Sequence, residues 1–201
     1  MNYLAHLYLA DISNTSLVGN FLGDFVRGRL EQTDLSPEYK LGVRLHRKID
    51  VFTDSHKIVQ KSRTRISSGR RRYAGIIVDM AYDHFLARNW KLFSNKPLNQ
   101  FVQDFHESLQ QDLALLPLNS RQIVPHLIQG NWLENYQSIS GISYGLNGIG
   151  KRFQRRFNRE NNLNNSVEEI ISNKNELERD FFDFFPELGK FSKDTTTLIK
   201  N

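Results

Sequence analysis

The sequence predicts an all-α protein folded as one domain, a helical bundle, and three observations lead there. Apolar residues recur at spacings of three and four along most of the chain. Helix-starting residues (Ser16, Pro37, Pro97 and Ser166) stand at the head of these periodic stretches. Strand signals are scarce: the Asn147-Gly148 pair lies in a glycine-rich helical or loop stretch, not between alternating runs. At 201 residues the chain suits a single domain, 1–201, long enough to bury a core without staples.

The elements follow in order. Ser16 is placed to cap a helix through LVGNFLGDFVRGRL, where Leu17, Phe21, Asp24, Phe25 and Gly28 recur at helical spacing. Pro37 suits the first turn of a helix running towards Phe52, with Leu41, Leu45, Ile49 and Phe52 turned inward. Thr53, Asp54 or Ser55 then breaks that helix and caps the next, KIVQKSRTRI. The segment YAGIIVDMAYDHFLARNW carries the strongest helical pattern, with Ile76, Ile77, Met80, His84 and Ala87 as one stripe. Pro97 opens a helix containing Phe101, Phe105 and Leu109, residues 117–125 form a connector, and Trp132 and Tyr136 begin a further helix. The asparagine-rich NRENNLNN is a loop, and SVEE (Ser166 to Glu169) fits a capping box ahead of Ile170, Leu177 and Phe181.

Composition narrows the chemistry. Hydrophobic residues at 39% and charged residues at 24% are globular values, which excludes a disordered chain. The absence of cysteine excludes disulfides, thiolate zinc sites and a cysteine nucleophile. Any metal must be held by His, Asp and Glu, which suits magnesium, manganese, iron or zinc. The start MNYLAHLYLA lacks the cationic region of a signal peptide, and no run approaches the roughly 18 apolar residues of a membrane span, so a cytoplasmic location is expected. A net charge of +5 points to an acidic partner, protein or nucleic acid.

Three regions place acids and histidines on apolar helices: His6 with Asp24; His46, Asp50 and Asp54; and Asp79, Asp83 and His84. In RLHRKIDVFTDSH the three polar groups fall within about 80° of one another on a helix. Each has a simpler reading. Asp24 can pair with Arg27, Asp50 with Arg47, Asp54 can cap a helix, and His6 and His84 can be hydrogen-bonded core histidines. His56, His106 and His126 read as surface or packing residues. The number of groups favours a shared explanation, because one dinuclear metal site in a bundle neutralises many carboxylates together. Other chemistries have no signal: no P-loop, GxGxxG, HExxH or GxSxG motif is present.

At these residues the chain resembles a known family. NYLAHLYLA, GNFLGDFVRG, HRKIDVFTDSH, VDMAYDHFLARNW and the late FFDFFPEL, in order and at similar spacing to about residue 190, resemble bacterial acyl carrier protein phosphodiesterase. That family is regarded as a distant, HD-domain-like branch of the helical, metal-dependent HD phosphohydrolases. The resemblance implies release of 4'-phosphopantetheine from holo acyl carrier protein, with Mn2+ as the usual cofactor and Mg2+, Fe2+ or another divalent ion as alternatives. HD enzymes use a His-Asp pair, whereas here the pair is Asp83-His84, in reversed order. The expected metal and catalytic residues are Asp24, His46, Asp50, Asp79, Asp83 and His84, with His6 as a further ligand.

Arg27, Arg47 and Arg88 are expected at the substrate phosphate, where a guanidinium fork suits the geometry. The basic runs RTRISSGRRRY and KRFQRRFNR, through Arg70, Arg71, Arg72, Arg155 and Arg156, are expected to dock the strongly acidic carrier protein. The competing readings are an HD-type nucleotide or nucleic-acid phosphohydrolase, for which KRFQRRF interleaves aromatics with arginines, and a non-catalytic helical adaptor.

Overall fold

In the computed structural model, which describes residues 1–158 and 160–200, the chain is all-α, with no strand among the described residues. Arg159, the last residue of the second basic run and part of the asparagine-rich stretch, lies outside the described residues. The first half comprises α1 (Tyr3–Ile12), α2 (Leu17–Phe21), α3 (Pro37–Ser55), α4 (Lys57–Arg65), α5 (Ala74–Arg88) and α6 (Leu98–Gln111). The second comprises α7 (Leu118–Arg121), α8 (Val124–Gln129), α9 (Trp132–Asn135), α10 (Ile139–Phe157), α11 (Val167–Ser172) and α12 (Lys174–Lys200).

Two helices are buried on nearly every side. In α1 the run Leu4 to Ala10 is buried, and in α5 the run Met80 to Ala87 is buried. A helix apolar all round belongs at the centre of a bundle, and the other elements wrap these two. α1 packs on α2, α3, α5 and α12, while α5 also meets α4, α10 and α11. The FFDFFPEL stretch lies within α12, where Phe181, Phe184 and Phe185 are fully or almost fully buried. Phe181 stacks on Phe185 and meets the Tyr82 ring edge-on, so the motif is a packing core of aromatic rings.

Local sequence rules explain most helix starts. The Ser16 hydroxyl accepts from the Gly19 N–H, Ser36 caps α3 ahead of Pro37 by accepting from Tyr39, and Leu45 and Ile49 are buried as expected. The expected connector 117–125 holds α7 and the start of α8, the helix begun at Trp132 stops at Asn135 before Tyr136, and three further boundaries differ from the sequence reading. The helix after Ser16 stops at Phe21 and tightens into a 3-10 turn, Leu22–Asp24, and Gly28 then takes a left-handed φ of 78°. Asp54 stays inside α3 and pairs with Arg63 at 2.5 Å, while the ring of His56 caps α4 through Ile58 N–H. The capping box at Ser166 does not close. Ser166 Oγ donates to the Leu163 carbonyl, and Glu169 accepts from the backbone and hydroxyl of Ser67. The long-range partner wins because the carboxylate also reaches Arg70 at 3.2 Å.

A polar tie fixes α12 to α4. Asp180 accepts from Ser62 Oγ (2.9 Å) and from Arg65 Nε (2.7 Å), and Ser62 also meets the Tyr82 hydroxyl at 2.8 Å. Burial works against ionisation of Asp180, but the hydrogen bonds from Arg65 and Ser62 outweigh it and hold its carboxyl below the usual range. A depressed folded-state pKa stabilises the fold above the unfolded value of about 3.9 and loses that effect as pH falls through the folded value. Asp180→Asn should therefore cost about 2–3 kcal/mol at neutral pH, below the range for a fully buried pair because Lys61 and Arg65 reach solvent. Urea unfolding of the two proteins should converge as pH falls through the folded-state value of Asp180, below the usual carboxylate range.

Candidate metal centre

The site is built where α1 crosses α3. α3 supplies His46 and Asp50 one turn apart on the same face. α1 supplies His6, whose ring stacks on that of His46 with centroids 3.9 Å apart and planes 16° apart. Both imidazoles converge on one carboxylate: His6 Nε2 lies 3.1 Å from Asp50 Oδ1, and His46 Nε2 lies 3.2 Å from Asp50 Oδ2. Asp24, at the end of the 3-10 turn, brings Oδ1 to 3.8 Å from His46 Nε2.

Glycines make this approach possible. A Cβ on Gly19 would come within 2.8 Å of the Tyr39 Cα, so α2 can lie against α3 only without one. At Gly23 a Cβ would overlap the His46 ring. The turn that carries Asp24 thus rests directly on the imidazole.

The electrostatics set an ionised Asp50 between two buried imidazoles. Burial, then the neighbouring His46, pushes the His6 pKa down to about 3, so its imidazole is neutral. Burial opposes ionisation of Asp50, yet the hydrogen bonds from His46 and His6 prevail and keep it a carboxylate. Burial pushes Asp24 up, with His46 acting the other way. Among the described residues no lysine or arginine pairs with Asp50. A half-buried anion beside a neutral imidazole, with no cationic side chain, is a donor set that fits a divalent ion. His6, His46 and Asp50 each offer one ligand atom, and these atoms all lie within 4.8 Å of one another.

The remaining expected residues lie elsewhere. Asp79 faces the Met1 amino group at 3.3 Å. Asp83 is fully buried and accepts from the N–H groups of Leu4 (2.8 Å) and Ala5 (3.2 Å). It thereby satisfies the start of α1, whose own N-cap residue, Asn2, makes no capping bond. Burial outweighs those two bonds and pushes its pKa up to about 7. His84 Nδ1 meets the Tyr136 carbonyl at 2.8 Å, so it is held as a core histidine. Neither Asp83 nor His84 joins the group of clustered ligand atoms.

Of the arginines expected at phosphate, Arg47 donates to the carbonyls of Gly28 and Val26, both at 2.9 Å, and fastens the loop behind Asp24. Arg27 is exposed on that loop, and Arg88 is exposed at the end of α5, where its charge acts on His84. Arg70 is engaged by Glu169, whereas Arg71, Arg72, Arg155 and Arg156 are exposed. The two basic runs meet: Tyr73 lies edge-on to Phe153, and Arg72 and Phe157 line one hollow.

Beside the cluster opens a cleft of about 770 Å³ of empty volume, its open mouth included, lined by Asp24, Tyr3, Met80, Trp132, Tyr144 and Arg152 among others. Sequence reasoning nominated neither Tyr3 nor Arg152. The signal available for Arg152 was its place four residues after Gly148 on the helix that carries the second basic run.

An all-α chain with two stacked imidazoles on a shared carboxylate, beside a cleft, has a donor set that a divalent ion fits. The chain belongs to the acyl carrier protein phosphodiesterase family, whose model matches residues 1–188. It is 35% identical over 195 residues to an acyl carrier protein phosphodiesterase of Yersinia enterocolitica, covering 96% of this chain and 98% of that relative. It is 39% identical over 153 residues to one of Yersinia pestis, covering 76% and 79% of the two chains. A third, from Escherichia coli O139:H28, is 35% identical over 189 residues, covering 94% and 95%. No solved structure matches the chain. The expected family is thereby confirmed, and with it the class of a hydrolase acting on phosphodiester bonds.

Calorimetric titration with Mn2+ separates the cluster from its neighbours. Asp50→Ala and His46→Ala should each weaken binding at least about tenfold. Asp83→Ala should lower stability by about 1–3 kcal/mol, since it strands two buried N–H groups, and leave Mn2+ affinity within about twofold. Equal loss of affinity in all three variants would place Asp83 in the metal site after all.

Proposed function

We propose that this protein hydrolyses the phosphodiester of holo acyl carrier protein, releasing 4'-phosphopantetheine, with a divalent ion held by His6, His46 and Asp50 and Asp24 beside it. Manganese is the first choice and Mg2+ or Fe2+ the alternatives, since two imidazole nitrogens and carboxylate oxygens suit borderline-hard ions. The observation that carries this reading is the convergence of two buried imidazoles on Asp50 next to the cleft. A divalent ion bound there supplies a water of lowered pKa and polarises the phosphoryl oxygens.

The chain's own residues do the rest. The stacked rings fix the direction of both Nε2 atoms, so the donor set is organised before substrate arrives. Asp24, the cluster carboxylate that also lines the cleft, is placed to hand a proton from its carboxyl oxygen to the departing serine oxygen. Arg27, on the exposed loop that Arg47 fastens, is within the segment that follows Asp24 and is retained as a phosphate contact. Arg71, Arg72, Arg155 and Arg156 are exposed, and Arg72 shares a hollow with Phe153 and Phe157 of α10, so the two basic runs offer charge suited to steering an acidic protein. For the nucleic-acid alternative, Phe153 packs on Tyr73, which leaves Phe157 as the exposed ring of KRFQRRF that a base could stack on. No helix among the described residues is long and apolar enough to cross a membrane, and a cytoplasmic location is part of this reading.

Intact-mass measurement of holo acyl carrier protein incubated with the protein tests the reaction. With Mn2+ the carrier should lose the phosphopantetheine mass, and with EDTA it should not. An unchanged mass in both, with the enzyme folded, would contradict the reading. Reversing Arg155 and Arg156 to Glu should raise KM several-fold at low salt and leave kcat within about twofold, because rim charges act mainly on encounter.

A further inference from the structure

The helix α10 presents three glycines to the cleft, Gly141, Gly145 and Gly148, spaced four and then three residues apart on one face. Packing demands the first, because a Cβ on Gly141 would strike the Asn135 carbonyl, while one on Gly145 would come within 2.7 Å of the Met80 methyl and displace that flexible end. Gly148 is different: the nearest atom to an added Cβ is an Arg152 nitrogen 4.0 Å away. Glycine in a helix interior is destabilising relative to alanine, and at Gly148 no neighbour in the protein requires it. The space left open is part of the cleft.

One turn further on stands Arg152. Its guanidinium lies over the Trp132 ring at 5.8 Å, and among the described residues no carboxylate pairs with it. Its charge acts on the hydroxyls of Tyr3 and Tyr136 from inside the cleft. Asp24 acts on the same Tyr3 hydroxyl from the cluster side. The cleft therefore holds Asp24 and Arg152 on either side of Tyr3, an anion and an unpaired cation, beside a strip of bare helix backbone.

We propose that Gly148 and Arg152 form the subsite for the substrate's phosphopantetheine arm, the arm lying against the backbone at Gly148 and the Arg152 guanidinium donating to the phosphate oxygens. This rests on the reaction proposed above and assigns two specificity-determining residues to it. A narrow arm is the ligand that fits, because a side chain at 148 would occupy the same space. A guanidinium without a carboxylate partner keeps its donors free for a phosphate.

The test is steady-state kinetics on holo acyl carrier protein, read by intact mass, for the wild type, Gly148→Leu, Arg152→Ala and Arg152→Lys, each with its Mn2+ affinity and melting temperature. The wild-type rate is measured first: no turnover there refutes the reaction itself, and the subsite with it. Given turnover, Gly148→Leu should lower kcat/KM at least about tenfold through KM, with Mn2+ affinity unchanged and melting temperature not reduced. Arg152→Ala should lower kcat/KM about 10–100-fold, with Arg152→Lys recovering part of the loss. Wild-type kcat/KM in Gly148→Leu overturns the arm's placement. Wild-type kcat/KM in Arg152→Ala, an exposed site where the fold is not at stake, overturns the phosphate contact.

Discussion

The Asp50 carboxylate shared by two stacked imidazoles is the contact on which the rest of this structure depends. It joins the buried helix α1 to α3, and each oxygen faces one Nε2 at about 3 Å. The pair of rings fits only because Gly23 leaves room for the turn above His46. Asp83 contributes from the other side, holding the first N–H groups of α1 and so the height of His6 along the crossing. Burial works against this carboxylate and keeps His6 neutral, so Asp50 depends on the hydrogen bonds from the two imidazoles and on the charge of the Met1 amino group. The protein tolerates the arrangement where a bound cation would complete it.

Much of the fold was legible in the sequence, because its helices obey local rules. Ser16, Ser36 with Pro37, and Pro97 each stand where a helix begins, and the periodic stripes of α3 and α6 face inward. The failures came where a distant partner outbid a local one. Glu169 leaves its capping box for Ser67 and Arg70, and His56 takes the capping place expected of Asp54. Glycines ended the second helix early, since Gly23 serves His46 and Gly28 needs a left-handed backbone.

The site was legible in part, for a related reason. His46 and Asp50 lie one turn apart on one helix, so spacing alone pairs them, and the GNFLGDFVRG glycines signalled close approach around Asp24. His6 comes from another helix, and spacing cannot say which ring it meets. Asp83 and His84 look equally suited in sequence, as polar residues on an apolar helix. Only the packing of α1 against α5 shows that the first caps a helix and the second bonds a carbonyl. Arg152 escaped notice because it reads as one cation among several in a basic run, whereas folding turns its side of α10 to the cleft. That helix links the parts, with the cleft on one face and the joined basic runs beside it.

The central claim, that the His6, His46 and Asp50 cluster binds a divalent ion, is tested most directly by a crystal structure of the protein grown with Mn2+, with data collected at the manganese edge. The account predicts an anomalous peak bonded to Nε2 of both histidines and to an oxygen of Asp50, with Asp83 still hydrogen-bonded to α1. A peak bound elsewhere, or none in crystals saturated with Mn2+ while His6, His46 and Asp50 keep their present contacts, would contradict it.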